Sequence, residues 1–120
     1  MHEYFLDMID FGILARGIKG DVMTDSLHQV IYATDASAYR EMPLAVVYPR
    51  DTEDVKACVA FAQENGITLI PRAAGTSLAG QVVGNGLVVD VSRYMNRVLE
   101  VNESEHWIRV EPGVVLDELN

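Results

Sequence analysis

The residues best suited to chemistry lie in one segment, "PRAAGTSLAGQ" (residues 71–81), which consists almost entirely of small and hydroxylated residues. Its two glycines can adopt backbone angles closed to other residues and let a ligand approach the main chain. Consecutive main-chain N–H groups in such a loop form a concave anion site, and the hydroxyls of Thr76 and Ser77 add donors. Arg72 can offset one negative charge. The segment therefore predicts a site for a phosphate or pyrophosphate group.

The common nucleotide-binding motifs do not match this segment. A Walker loop ends in Gly-Lys-Ser/Thr, and residues 71–81 contain no lysine. The Rossmann fingerprint opens a helix, whereas this segment precedes a run of apolar residues that predicts a strand. The residues alone support equally a phosphate site and a crossover loop whose glycines merely permit chain reversal.

Composition limits the ligands. The 120 residues are 49% hydrophobic, enough for the packed core of one small domain. Nine basic and eighteen acidic residues give a net charge of −9, and the lysines and arginines are scattered singly. A chain this acidic is repelled by phosphate backbones, which argues against a nucleic-acid partner.

The number of cysteines and the length of the apolar runs bear on localisation and metal binding. Cys58 is the single cysteine, so an internal disulfide and a multi-cysteine metal site are both excluded. The first twelve residues carry acidic groups where a secretory signal carries basic ones. No apolar run reaches the length of a membrane span. We expect a cytoplasmic protein without a bound metal, and peripheral membrane association of the whole protein stays open.

The elements before the loop form the clearest pattern in the sequence. Leu44 to Tyr48 predicts a buried strand, and a helix capped by Asp51 or Thr52 runs to Asn65-Gly66. Ile67 to Ile70 predicts a second strand, which completes a βαβ unit with parallel strands. The apolar face of the helix is predicted to consist of Val55, Cys58, Val59 and Ala62.

The elements after the loop are shorter. Leu87–Val91 predicts a third strand, and two runs joined by the polar turn "NESEH" predict a hairpin, Val98–Val101 with Trp107–Val110. A turn follows at Pro112-Gly113, and "VVLDELN" begins a helix at which the sequence stops. We read that ending as a truncation and expect the isolated chain to self-associate. At the N-terminus, a short amphipathic helix is predicted from near residue 2, with Phe5, Met8, Ile9 and Phe11 on its apolar face.

The segment 71–81 resembles the FAD-pyrophosphate loop of the vanillyl-alcohol oxidase and p-cresol methylhydroxylase (PCMH) flavoprotein family, whose usual pattern is Pro-Arg-Gly-Gly-Gly-Thr-Ser-Leu-x-Gly-Gln. The flanks "AVVYPRDTEDVKACVAFAQENGITLIPR", "LVVDVSRYMNRVLEV" and "WIRVEPGVVLDELN" resemble the family's neighbouring segments in the right order. "YATDASAYREMP" is similar to the entry segment of the branch akin to D-lactate and glycolate dehydrogenases. The resemblance covers residues 30–120.

This resemblance implies the following domain organisation and function. The fold is expected to be α+β, a βαβ unit plus additional strands that form the first half of a PCMH-type FAD-binding domain. Residues 1–29 form an N-terminal helical extension, and residues 30–120 the N-terminal part of the FAD-binding domain. The implied activity is oxidation of a small-molecule 2-hydroxy acid by hydride transfer to flavin, with the electron acceptor unassigned. The residues expected at the cofactor are Arg72, Ala73, Ala74, Gly75, Thr76, Ser77, Gly80, Gln81, Pro112 and Gly113.

Two departures from the family pattern matter. Ala73 and Ala74 replace glycines, so the loop must bind without left-handed angles there. Thr76 stands where covalent members carry a flavin-linking histidine, which predicts non-covalent FAD. No catalytic residue is assigned, because the family's substrate-side residues lie beyond Asn120, and the chain alone is expected to be inactive. Large members of the branch also carry iron–sulfur domains, so the resemblance admits an iron–sulfur cofactor beyond these residues.

Other classes of function stay open. A non-catalytic nucleotide- or phosphate-binding module would share the loop, and a structural domain would bind no nucleotide. An FAD-dependent reductase of a nucleotide-sugar enolpyruvyl ether has a related domain, but the "YATDAS" entry segment argues against it. The remaining candidate residues favour structural roles: Cys58 and Trp107 in the core, His28 and His106 at the surface or in strands, and Asp35 as a turn cap.

Overall fold

The computed structural model describes residues 8–25, 43–73 and 86–115. Several predictions therefore lie outside the described residues: the helix from residue 2 up to residue 7, the entry segment with His28 and Asp35, the loop residues from Ala74 to Gln81, and the helix after residue 115. The described elements are α1 (Phe11–Gly17), β1 (Asp21–Met23), β2 (Ala45–Tyr48), α2 (Thr52–Asn65), β3 (Leu69–Arg72), β4 (Leu87–Asp90), β5 (Val98–Asn102) and β6 (Trp107–Val110).

Four of the strands form one sheet in the order β1-β2-β4-β3. β2, β4 and β3 are parallel, whereas β1 runs antiparallel to β2. The predicted βαβ unit is confirmed, but β4 lies between its two strands. β2 and β4 are buried along their whole length, as apolar strands covered on both faces are.

Alternation along the strands divides the core between the two faces of the sheet. One face carries Ala45, Val47, Leu87 and Val89 against Leu14 of α1 and Cys58 and Phe61 of α2. The other face carries Val46, Tyr48, Ile70 and Val88, with Met23 and Tyr94 packed against them. Both helices therefore cover the same face of the sheet.

Helix α2 begins and ends as its sequence predicts. The side chain of Asp51 accepts a hydrogen bond from the Asp54 main-chain nitrogen at 2.9 Å, and Gly66 has the left-handed φ of 64° that closes the helix. Cys58 is buried as predicted, but Val59 is half exposed, so its assignment to the core is wrong. Each residue advances about 100° around a helix, which turns Val59 away from the face shared by Cys58 and Phe61.

The N-terminal segment differs from its prediction. Met8 to Asp10 are not helical, and the described helix begins at Phe11, capped by Asp10. Residues 21–23, for which no strand was predicted, form the edge strand β1. A Cβ at Gly20 would lie 2.0 Å from the Tyr48 carbonyl oxygen, so only glycine allows this backbone approach.

The predicted hairpin is confirmed as the antiparallel pair β5 and β6, with a register shift between Val98 and Glu100. Trp107 is 37% exposed, so its predicted place in the core is wrong, whereas His106 lies at the surface as predicted. Trp107 is exposed because the hairpin forms a sheet of its own, which no described element covers. Across the described ranges, no helix is both long enough and apolar enough to span a bilayer.

Candidate functional site

The carboxyl ends of the parallel strands β2, β3 and β4 lie along one edge of the sheet, termed here the carboxyl edge. In open α/β sheets, ligands bind beyond this edge, where the connecting segments leave the strands. The segment that leaves β3 begins with Ala73 and returns to β4 at Gly86. The predicted cofactor loop therefore starts where a ligand is expected.

Arg72 is the last residue of β3 and lies opposite Asp90, the last residue of β4. The Arg72 carbonyl oxygen accepts a hydrogen bond from the Val91 main-chain nitrogen at 2.9 Å. Its side chain is partly buried, and Ala73 beside it is exposed. The main chain of Arg72 is therefore fixed directly before the loop begins.

Asp90 is buried and organises the segment after β4. One oxygen of its carboxylate accepts hydrogen bonds from the main-chain nitrogen of Ser92 at 2.8 Å and from the Ser92 hydroxyl at 2.6 Å. Because these donors compensate its charge, Asp90 presents less repulsion to an anionic ligand than a bare carboxylate would. Asp90 was not among the predicted site residues, although an acidic residue at the end of an apolar strand can be recognised in the sequence.

The turn that contains Pro112 and Gly113 packs against this same segment. The Gly113 main-chain nitrogen donates to the Met95 carbonyl oxygen at 2.7 Å. A Cβ at Gly113 would lie 2.4 Å from the Val91 carbonyl oxygen and 2.6 Å from that of Met95. Val91 therefore contacts the end of β3 through its nitrogen and the predicted turn through its oxygen. The two described parts of the predicted site meet at this residue.

A buried carboxylate fixes the turn from its other side. Glu111 is 7% exposed, and it accepts hydrogen bonds from Nε and Nη2 of Arg97 at 2.8 and 3.2 Å and from the Arg97 main-chain nitrogen at 3.0 Å. The hydrogen bond from the Arg97 side chain is the main cause that holds the pKa of Glu111 below its usual value, and the pKa of Arg97 is raised in return. This ion pair was also missed, because its partners are fourteen residues apart and on different elements.

The described residues fit a bound dinucleotide pyrophosphate. Arg72 is the last strand residue before a loop of small residues, and the two buried acids Asp90 and Glu111 each accept hydrogen bonds from local donors. By contrast, Cys58 lies in the core, where burial raises its thiol pKa to about 12, so the prediction of a structural cysteine is confirmed. Within residues 8–25, 43–73 and 86–115, no cluster of metal-binding side chains occurs.

This architecture is an α+β domain whose parallel strands end at one edge of the sheet, the edge at which open α/β sheets bind ligands. Residues 43–120 match the model of the FAD binding domain family. The chain belongs to this family. The predicted resemblance, the α+β fold class and FAD as the cofactor are thereby confirmed.

Individual relatives agree with this assignment. The chain is 44% identical over 108 residues to D-2-hydroxyglutarate dehydrogenase of Escherichia coli K12, a match that covers 88% of the chain and 11% of that enzyme. It is 36% identical over 84 residues to the mitochondrial D-lactate dehydrogenase [cytochrome] of Kluyveromyces lactis, covering 67% of the chain and 15% of the relative. In three dimensions it resembles the 4-ethylphenol oxidase of Gulosibacter chungangensis, with a TM-score of 0.70 and 27% sequence identity. This match covers 94% of the chain and 22% of the oxidase. The chain thus spans only a small part of these proteins.

Proposed function

We propose that this chain is the pyrophosphate-binding part of an FAD-dependent oxidoreductase that oxidises a small 2-hydroxy acid. Its relatives are a D-2-hydroxyglutarate dehydrogenase, a D-lactate dehydrogenase and a glycolate oxidase subunit, whose names share this substrate class. We place the protein in the cytoplasm, since it carries a single cysteine. The enolpyruvyl-ether reductase and the non-catalytic binding module are not favoured by these relatives.

One observation carries the proposal: Arg72 at the end of β3 and the turn at Gly113 meet through Val91 at the carboxyl edge. Arg72 would balance a phosphate charge there, while the main chain and hydroxyls of the loop would supply donors. The turn with Pro112 and Gly113 would border the flavin. The bound cofactor supplies the hydride acceptor, and these residues supply its binding and orientation.

The proposed activity is tested with the protein expressed from its complete gene. We expect it to be yellow, and we expect the visible flavin absorbance to bleach under anaerobic conditions when D-2-hydroxyglutarate, D-lactate or glycolate is added. The L-enantiomers of the first two acids serve as controls for non-specific reduction. A colourless protein that binds ADP would instead indicate the binding module, and a flavin bleached only by NADPH would indicate the reductase.

The cofactor is expected to be non-covalent, because the threonine at position 76 cannot form the bond that a histidine forms in covalent family members. Acid precipitation of the purified protein should therefore release the yellow cofactor into the supernatant. Treatment of a covalent flavoprotein in parallel provides the control. Flavin that stays with the precipitated protein would contradict this prediction.

The isolated 120-residue chain is expected to self-associate, because the hairpin exposes large apolar side chains and open strand edges. Those exposed by roughly 40% or more include Val98, Leu99, Val101 and Ile108. Sedimentation velocity should show oligomers that grow with concentration. A matched variant with Val101→Thr and Ile108→Thr should associate less, and a clean wild-type monomer would contradict the prediction.

A further inference from the structure

Five side chains form a cluster beside the carboxyl edge that the proposed function does not use. They are Asp21, Tyr48, Arg50, Arg93 and Tyr94, named here the Tyr94 cluster. The Tyr94 hydroxyl donates a hydrogen bond to Oδ2 of Asp21 at 2.5 Å. The guanidinium carbon of Arg50 lies 3.9 Å from the centroid of the Tyr94 ring, and that of Arg93 lies 3.7 Å from the Tyr48 ring. The cluster thus joins β1, the end of β2 and the segment after β4.

One buried carboxylate fixes the main chain of Arg50 and the main chain directly before Asp21, the two residues that contact Tyr94. Asp54 of α2 is 3% exposed and accepts hydrogen bonds from the main-chain nitrogens of Lys19, Gly20 and Arg50 at 3.0, 2.9 and 3.0 Å. It therefore sets the backbone next to Asp21 and that of Arg50 at once. A buried carboxylate with three donors is a stable anchor, because each donor offsets part of its desolvation.

The residue after Tyr94 holds the turn of the candidate site. Met95 is buried, and its carbonyl oxygen accepts the hydrogen bond from the Gly113 main-chain nitrogen at 2.7 Å. A shift of Tyr94 would move this carbonyl oxygen and the turn with it. Asp21 is thus linked to Gly113 through two hydrogen bonds, one to Tyr94 and one from Gly113 to Met95, the residue that follows Tyr94.

We propose that Tyr94 is a positioning residue for the cofactor and that residues 19–21 support the FAD site through their contact with Tyr94. The hydroxyl held by Asp21 and the ring held under Arg50 fix the segment after β4, and this segment fixes the turn at Gly113. The inference rests on the proposed placement of that turn at the FAD. It predicts that a change at β1, outside the predicted loop and the turn, alters the bound flavin.

The test must separate this role from packing, because the Tyr94 ring also contacts the core on its face of the sheet. Tyr94→Phe keeps the ring and removes the hydroxyl alone. In the protein expressed from its complete gene, it should weaken FAD binding by roughly three- to tenfold, the fold-change expected for the net contribution of one ordinary hydrogen bond. It should also change the visible circular dichroism of the bound flavin.

Variants at Asp21 test whether the effect depends on the hydrogen bond that the Tyr94 hydroxyl donates. Asp21→Ala should reproduce both effects, and Asp21→Asn, which keeps an oxygen that accepts the hydroxyl, should restore most of the affinity and the spectrum. Asp10→Ala is the structural control, since it removes the cap of α1 and touches none of the Tyr94 cluster. It should lower the unfolding temperature without changing the flavin spectrum.

The outcomes are distinguishable. Tyr94→Phe with wild-type affinity and spectrum, on a wild-type protein that binds FAD, would overturn this inference alone. Effects on affinity and spectrum equal to those of Asp10→Ala would also overturn it, because they would reflect general stability. A wild-type protein that binds no FAD would overturn the proposed function and this inference together.

Discussion

Gly113→Ala is expected to weaken FAD binding strongly. The added Cβ would lie 2.4 Å from the Val91 carbonyl oxygen and 2.6 Å from that of Met95, and both are main-chain atoms that cannot rotate away. The turn must move, and the hydrogen bond from Gly113 to Met95 must lengthen. We expect FAD affinity to fall by roughly tenfold or more, since the loss of one good polar contact costs about 1.4 kcal/mol. The ratio of visible to ultraviolet absorbance and an FAD titration measure the effect.

The matched control is Gly17→Ala, at the end of α1, where an added Cβ would meet no atom within 4 Å. Alanine is also the better helix former, so this variant should keep its FAD and its stability. Overpacking at Gly113 should cost about 1–3 kcal/mol of folding free energy, which chemical denaturation measures independently. A folded Gly113→Ala protein with wild-type FAD affinity would show that the turn does not belong to the cofactor site.

The parts of the fold that the sequence predicted are those with strong local signals. Helix α2 carries its own start and stop: Asp51 caps the first turn and Gly66 adopts the left-handed angle at the end. β2 and β4 are short apolar runs between turn residues, so their existence and burial could be read directly. In each case the residues that determine the element lie within it or beside it.

The parts that were missed depend on contacts between distant segments. The place of β4 between β2 and β3 follows from which strands bury both faces, and a linear pattern does not contain that information. β1 exists because Gly20 allows the chain to approach Tyr48 and because Asp54 binds the preceding backbone. A glycine followed by an acidic residue looks the same in a loop as it does here.

The candidate site also has parts that could be predicted from the sequence and parts that could not. Composition was compatible with an anion-binding loop and with a plain crossover loop, and family resemblance identified FAD and added the turn at Gly113. Neither indicated that Val91 joins that turn to the end of β3, or that Glu111 holds it through Arg97. Small residues are visible in sequence because the close approach of a ligand selects them. Ion pairs that support a site consist of common charged residues, and only the structure shows which of them meet.

Glu111→Gln is expected to destabilise the fold by about 2 kcal/mol at neutral pH. The amide keeps the volume of the side chain but loses the charge that receives three hydrogen bonds from Arg97, and bonds to charged groups are each worth about 1.5–3 kcal/mol. Guanidinium denaturation of the protein expressed from its complete gene measures the change. Glu100→Gln is the matched control, because Glu100 and its partner Arg109 are exposed and 3.6 Å apart, and such surface pairs contribute about 0–1 kcal/mol.

The same pair predicts how stability varies with pH. The pKa of Glu111 in the folded protein lies below its usual value of 4.5, chiefly because of the hydrogen bond from Arg97. A carboxyl group with a lowered folded pKa contributes its full stability above the unfolded pKa and loses it as the pH falls through the folded value. The difference in unfolding free energy between wild type and Glu111→Gln should therefore be constant near neutrality and shrink below about pH 4.5. The Glu100→Gln difference should stay small throughout. A Glu111→Gln difference that persists undiminished in strong acid would mean that the carboxylate charge does not hold the turn.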